Sequence, residues 1–244
     1  MTRSPGQDIN TAPVAATAKP TRAKKKSSSK GPRLTSERVL DGALALADTV
    51  GMQDFTIRRL AAALDVKPMT IYHHIPSKEA IIDGMVDRVF AEIDRPPGDL
   101  HWKAAIAHRT RSAREVLARH PWATPLMESR SSPLPEILGH HDAVLACFRT
   151  AGFSIEMTGH AYSLIDAYLY GFALQEANMP ATGGEEMADL AGGFMEFIDP
   201  GLYPHFVEFA TEQALEPGYD FRNEFDYGLD LILDGLEAAL VANS

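Results

Sequence analysis

Apolar side chains recur at helical spacing along most of the chain from residue 35 onward. In the first such segment Val39 and Ala43 share one face, Thr35 or Ser36 can cap the N-terminus, and Gly51 can stop the helix in a left-handed conformation. Further segments of this kind predict helices over residues 56–66, 68–75, 78–94, 101–119, 122–128, 134–151, 154–178, 185–198, 202–216 and 221–242. No segment has a convincing strand alternation, so the pattern predicts an all-α protein.

The second and third predicted helices are short and close together in the sequence. Ile57, Leu60 and Leu64 form one apolar stripe on the second helix, and Pro68 fits the first turn of the third. Two short helices joined by a tight turn, after a stabilising first helix, form the helix-turn-helix arrangement, whose second short helix enters the DNA major groove. The spacing therefore predicts a DNA-binding unit at residues 34–79.

The third predicted helix has an apolar face and a polar face. Ile71 and Ile75 lie one turn apart and can pack on the second helix. Thr70, His73 and His74 then lie on the opposite face, where they are either plain surface groups or contacts to base edges and phosphates. We expect this helix to read the DNA sequence.

The distribution of charge supports a DNA-binding N-terminus. The chain has a net charge of −10, but residues 1–33 carry +7, residues 34–79 carry −1 and residues 80–244 carry −16. This asymmetry would turn the N-terminal end toward a phosphate backbone. Residues 1–33 lack apolar periodicity and are rich in Pro, Ala, Ser, Thr and Lys, so we predict a disordered basic arm that either adds phosphate attraction or only improves solubility.

Composition narrows the possible classes of protein further. A single cysteine, Cys147, rules out an intramolecular disulfide framework and a cysteine-rich zinc site, which fits a reducing compartment. No apolar stretch is long enough to cross a membrane, and the run near residues 12–18 is too short and broken for a signal peptide. We therefore expect a cytoplasmic protein without a membrane partner.

The DNA-binding segment resembles the signature of the tetracycline-repressor (TetR) family of bacterial transcriptional regulators. The resemblance rests on FTIRRLA at residues 55–61, TIYHHI at residues 70–75 and SK at residues 77–78. It implies a three-helix DNA-binding domain at residues 34–79 and a larger helical ligand-binding and dimerisation domain at residues 80–244, connected by the helix at residues 78–94. It also implies a set of residues that face DNA: Thr56, Arg58, Met69, Thr70, Tyr72, His73, His74 and Lys78. Of these, Tyr72 and Lys78 would bind phosphates.

The rest of the chain resembles the regulatory domain of tetracycline repressors more loosely. Trp102 opens the fifth predicted helix, His120 closes it, and a later long helix contains GFALQE at residues 171–176. In the family the long helix and the last helix form a four-helix dimer interface. The last helix here has an apolar stripe formed by Leu229, Ile232, Leu233, Leu236 and Leu240. This stripe either packs against a partner subunit, as we expect, or belongs to the core of one chain.

The resemblance also bears on the effector. Tetracycline repressors hold a drug–magnesium chelate with two histidines and a glutamate, and a loose alignment places Met127, Ala167 and Gln175 there. None of these is a charged ligand for a hard cation, so we expect no metal, no cofactor and an apolar or aromatic effector among the helices at residues 101–178. Candidate lining residues, each of which could instead be core or surface, are Arg109, Met127, Tyr170 and Gln175.

Two other functions stay open at this point. An all-α enzyme could use His140, His141, Asp142 and His160, but adjacent histidines point about 100° apart on a helix, and no Glu-x-x-His pair is present. A regulator without an effector would bind DNA constitutively. We expect neither, and predict a repressor that binds a palindromic operator as a homodimer and is released by a small molecule.

Overall fold

The computed structural model describes residues 33–127, 129, 134–179, 181, 183, 189, 192–195, 197–216 and 218–242. Regular structure in this part of the chain is helical apart from one isolated bridge between Gly183 and Asp220, so the all-α prediction is confirmed. The predicted basic arm lies outside the described residues except for Arg33. Of the helix predicted at residues 185–198, only residues 189 and 192–195 are described as helical.

The main described helices follow one another along the chain. They are α1 (Ser36–Val50), α2 (Ile57–Ala63), α3 (Pro68–Tyr72), α4 (Lys78–Glu92), α5 (Trp102–Arg119), α6 (Thr124–Met127), α7 (Pro135–Thr150), α8 (Ile155–Asn178), α9 (Pro204–Phe209) and α10 (Glu224–Ala242). A π-helical turn, Ala210–Ala214, follows α9, and a 3₁₀ turn, Phe221–Asn223, leads into α10.

Side-chain caps set the N-termini that the sequence predicted. Thr35, Thr56 and Ser77 each accept a hydrogen bond from a backbone N–H three residues further on, at the starts of α1, α2 and α4. Gly51 ends α1 with a φ of 71°, a conformation that favours glycine. Local polar chemistry therefore fixes where these helices begin and end.

The helix-turn-helix head, α1 to α3, shares one core with the first half of α4. Phe55, Leu60 and Ile71 are fully buried together with Met85 of α4. Gly84 allows α4 to approach α1 closely, because a Cβ atom there would lie 2.8 Å from Leu40 Cδ2. The head is thus held on α4 by buried contacts rather than by a flexible hinge.

The remaining helices pack around α5, which contacts α7, α8 and α10. Leu229, Leu233 and Leu236 of α10 are buried within this body. The expectation that their stripe serves a partner subunit is therefore wrong, because α5 and α8 of the same chain already cover it. The face of α10 that stays exposed carries Tyr227 and Leu231 instead.

Other differences from the predicted bounds have local causes. Helix α3 ends at Tyr72 rather than at residue 75, because its last turn tightens: the His74 N–H donates to the Ile71 carbonyl oxygen, three residues back, at 2.9 Å. The helix predicted over residues 202–216 is divided into α9 and the π-helical turn. Helix α4 ends at Glu92, two residues earlier than predicted.

Candidate nucleic-acid interface and effector core

The exposed face of α3 carries the residues that sequence reasoning assigned to DNA. Met69 is 67% exposed, and Tyr72 and His73 are exposed beside it, whereas Thr70 is half-buried. Ile71 on the opposite face is fully buried, as its spacing predicted. A short helix that is anchored by one side and open on the other can enter a groove without losing its core.

Helix α2 contributes its N-terminus to the same surface. Thr56 is exposed while its hydroxyl oxygen caps the backbone N–H of Arg59, so its O–H can still donate outward. Arg59 is tied to Asp54 by an ion pair of 3.2 Å. The exposed Arg58 has no hydrogen bond or ion pair within the described part of the chain and can therefore reach a phosphate.

Lys78 and His74 lie where the head meets α4. Lys78 Nζ donates to the Phe55 carbonyl oxygen at 3.2 Å and lies 5.7 Å from the centre of the Phe55 ring. An ammonium group has three donors, so this contact leaves two for a phosphate. The half-buried His74 is held by its carbonyl oxygen, which accepts from the Ser36 hydroxyl at 3.2 Å.

A buried polar cluster occupies the middle of the body. Arg109 of α5 is fully buried, and its Nε donates to His140 Nε2 at 2.8 Å while its Nη1 donates to Asp166 Oδ1 at 3.0 Å. Sequence reasoning named Arg109 as a lining residue and His140 as part of a possible enzyme site, but it missed Asp166. The only local signal was a single carboxylate among apolar residues of a long helix.

Two donors in this cluster have no hydrogen-bond partner among the described residues. Burial, followed by the nearby charge of Arg109, lowers the pKa of His140 to about 3, so its ring is neutral at physiological pH. Since Nε2 accepts from Arg109, the ring proton is on Nδ1, which has no hydrogen-bond partner among the described residues, like Nη2 of Arg109. Unpaired buried donors are costly and would be satisfied by an acceptor oxygen of a ligand.

Tyr162 and His141 extend the polar cluster on one side. The Tyr162 hydroxyl is hydrogen-bonded to His141 Nδ1. Burial and the charge of Asp166 raise the pKa of Tyr162 far above its ordinary value, so the phenol stays protonated. The buried cluster therefore joins the ion pair of Arg109 and Asp166 to the neutral imidazole of His140 and the protonated phenol of Tyr162.

Helix α7 connects this cluster to α4. The Phe90 ring of α4 lies 5.6 Å from the His140 ring and 5.5 Å from the His141 ring, measured between centroids. Asp87, one turn earlier on α4, accepts hydrogen bonds at 3.2 and 3.3 Å from the backbone N–H groups of Glu136 and Ile137. These contacts join α7 directly to the helix that carries the head.

The structure does not bring all four predicted lining residues together. Met127 is buried and Tyr170 is half-buried, but Gln175 lies on the exposed face of α8, as does Ala167. Helix α8 turns Asp166 and its neighbours at helical spacing inward, which leaves residues 167 and 175 outside. Gln175 is therefore placed outside the buried cluster.

Two clefts of similar volume lie among the described residues. The first, the α7 cleft, has a volume of 610 Å³, within the range of small-molecule sites, and is lined mainly by apolar residues of the α4–α5 connection, α7 and the end of α10, such as Pro97, Trp102, Cys147 and Leu240. The second, of 570 Å³, is lined by residues such as Arg149, Met157 and His160. Within the same part of the chain no three His, Cys, Asp or Glu side chains are grouped to hold a metal ion. None of the described helices is long and apolar enough to span a membrane.

Comparison with known proteins matches both halves of the chain to family models. Residues 39–85 match "Bacterial regulatory proteins, tetR family", and residues 96–240 match "Tetracyclin repressor-like, C-terminal domain". The HTH-type transcriptional repressor DrrR1 of Streptomyces coeruleorubidus is 31% identical over 220 residues, which cover 86% of this chain and 80% of that protein.

Solved structures show the same fold. Apo ActR from Streptomyces coelicolor superposes with a TM-score of 0.71 at 21% identity, covering 88% of this chain and all of that one. ActR in complex with actinorhodin superposes with a TM-score of 0.68 at 22% identity, covering 86% and 99% of the two chains.

Proposed function

Because the chain belongs to the TetR family of bacterial regulatory proteins, we propose that it is a transcriptional repressor that binds a palindromic operator as a homodimer and leaves it when a small molecule binds the body. The family consists of transcriptional regulators rather than enzymes. One observation carries the proposal: the exposed reading face of α3 and the buried cluster with its unpaired donors are connected by α4. We also propose that it acts in the cytoplasm, where bacterial operator DNA lies.

The reading of DNA is assigned to α3 and its neighbours. Met69, Thr70 and His73 face base edges in the major groove, where a thymine methyl group and acceptor atoms are available. Tyr72 and Lys78 at the margin of this face contact phosphates, which adds affinity without sequence information. A two-fold dimer presents two such helices to successive major grooves, so the operator has two-fold symmetry.

The effector is assigned to the cluster around Arg109. Its two unpaired donors call for a ligand with an acceptor oxygen, such as a carbonyl or a phenolic oxygen, and the Phe90 ring next to His140 suits an aromatic or apolar body. ActR, which shares the fold, binds actinorhodin. An effector of this kind distinguishes the proposal from a constitutive regulator, whose operator binding no small molecule changes.

Release from DNA follows from the contacts of α4. A ligand that separates α7 from α5 displaces Phe90 and Asp87, and α4 then pivots and changes the separation of the two heads. The ligand acts only through its different affinities for the two arrangements, and a coupling of about 1–3 kcal/mol changes operator affinity roughly 5–150-fold.

The DNA-binding part is tested by selecting bound duplexes from a random library with the full-length protein. We expect a palindrome whose half-sites are centred about 10 base pairs apart or a multiple of that spacing. The H73A variant should return an altered base preference, whereas H160A, on the exposed surface of α8, should return the same site. A selection without enrichment would contradict the proposal.

The effector part is tested by thermal denaturation against a metabolite library. A ligand that binds the folded state raises the melting temperature. The double variant R109M/D166L removes both buried charges together and should abolish that rise, whereas R111M, at the exposed surface of α5, should retain it. If filling the α7 cleft with A146W abolishes the rise instead, the effector binds there and not at Arg109.

A further inference from the structure

His120 lies at the junction between the head, α4 and the body. It follows the last residue of α5, and its side chain is only 10% exposed. Its Nδ1 is 2.7 Å from Asp48 Oδ1 on α1, and its Nε2 is 3.3 Å from Glu92 Oε2 at the end of α4. One imidazole ring therefore joins the end of α5 to α1 of the head and to α4, which carries the head.

The surroundings of the ring hold both carboxylates in place. Trp122 Nε1 donates to Asp48 Oδ1 at 2.6 Å, and Arg119 Nη2 donates to Glu92 Oε2 at 2.7 Å. Across the adjacent cleft, Arg88 of α4 pairs with Asp41 of α1. Burial opposes ionisation of Glu92, but the hydrogen bonds from Arg119 and His120 outweigh it and lower the pKa of this carboxyl below its ordinary value. Glu92 is thus held as a carboxylate, which can only accept hydrogen bonds.

We propose that His120 is a proton-dependent clamp between the head and the body. The imidazolium form has two N–H donors and can bond Asp48 and Glu92 at the same time. When the proton leaves to solvent, one ring nitrogen becomes an acceptor, and a lone pair then faces a carboxylate. Since the contact to Asp48 is the shorter of the two, at 2.7 Å against 3.3 Å, the contact released is the one to Glu92, and the end of α4 is freed from His120.

The clamp acts on α4, the helix whose pivoting we propose releases the protein from DNA. The arrangement described here is held more firmly when His120 carries its second proton, so operator binding becomes sensitive to pH. This consequence rests on the proposed function, but the clamp itself can be measured without DNA or effector.

Tryptophan fluorescence is the direct readout, because Trp122 donates to the same carboxylate as His120. In full-length W102F protein Trp122 is the only tryptophan, and we expect its emission to change in one transition between about pH 5 and 8. The transition should vanish in W102F/H120Q. It should persist in W102F/H108Q, since His108 forms a similar pair with Asp94 at 3.1 Å on the exposed side of α5.

A second measurement keeps the clamp testable if W102F/H120Q fails to fold. The difference in melting temperature between wild type and E92Q, which keeps His120 and removes only the α4 partner, should be larger at about pH 6 than at about pH 8, because only the imidazolium holds both carboxylates. A Trp122 transition that survives H120Q, or a melting difference that is equal at both pH values, would overturn the clamp.

Discussion

At the scale of single residues, Lys78 can be tested by the salt dependence of DNA binding. Replacing it with Gln should weaken binding to the selected operator and to unrelated duplexes alike, and should reduce the slope of log affinity against log salt by about one unit, because one phosphate contact is lost. The matched control is K103Q, which removes a lysine paired with Asp234 and Glu237 on the body. An unchanged slope in K78Q would show that Lys78 does not contact a phosphate.

His140 leads to a prediction for how the free energy of unfolding depends on pH in acid. Its pKa is about 3 in the folded protein, below the value of about 6.5 expected in an unfolded chain. Between these values the unfolded state binds the additional proton, so this residue lowers the free energy of unfolding as pH falls. Chemical denaturation should show a shallower loss of stability in acid for H140Q than for wild type.

The matched control for this prediction is H160Q, which replaces an exposed histidine of α8. Its acid profile should match that of wild type. If H140Q and wild type lost stability in parallel, His140 would not be held neutral by burial. The clamp measurements are unaffected, since His140 is present in both proteins that are compared there.

At the scale of elements, Asp87 stabilises the start of α7 from another helix. It accepts two backbone N–H groups of the first turn, in the position that a local capping residue would take. Replacing it with Ala should lower the free energy of unfolding by about 0.5–2 kcal/mol, the usual effect of a lost cap. It should also weaken the response of operator binding to the effector, since α4 and α7 are then less firmly coupled.

The control for this prediction is Asp142, an exposed residue of α7. The D142A variant should change stability by less than about 0.5 kcal/mol, as is usual for surface substitutions, and leave induction intact. Urea denaturation and effector-dependent release from the selected duplex measure the two effects. Loss of stability in D87A without any change in release would mean that the cap is structural only.

The elements also show how far sequence reasoning extends. Periodicity and caps predicted α1, α5, α7 and α8 nearly to the residue, because these signals are local. The stripe on α10 was assigned to the wrong neighbour, since a period identifies an apolar face but not the helix that covers it. Asp166 was missed for the same reason: its partner Arg109 is 57 residues away in the chain, and only the fold brings them together.

At the scale of the whole molecule, the dimer can be tested on the exposed apolar residues of α8 and α10. Leu164, Leu174, Tyr227 and Leu231 are 46%, 48%, 69% and 56% exposed, which is unusual for large apolar side chains on two neighbouring helices. L231E should therefore yield a folded monomer in sedimentation and a large loss of operator affinity. L138E, at an exposed leucine of α7, should leave the dimer intact.

The effector site makes a second prediction at this scale, which concerns divalent cations. Met127 is buried and Ala167 and Gln175 are exposed, so the positions aligned with the family's metal ligands carry neither the chemistry nor a common location for a hard cation. Tetracycline with magnesium should not release the protein from its selected duplex, and EDTA should not alter induction by the true effector. Magnesium-dependent release that EDTA reverses would show the opposite.

The shared core of the head and α4 determines where two relatives can be joined when operator specificity is exchanged between them. A recombinant that joined one protein's first three helices to another's body just before Lys78 would cut through the layer in which Phe55 and Ile71 are buried with Met85. It would also put a foreign side chain where Gly84 lies against Leu40. A crossover placed after α4 transfers the reading surface with its own support, and leaves Asp87, Phe90 and Glu92 as the contacts that have to be matched to the recipient.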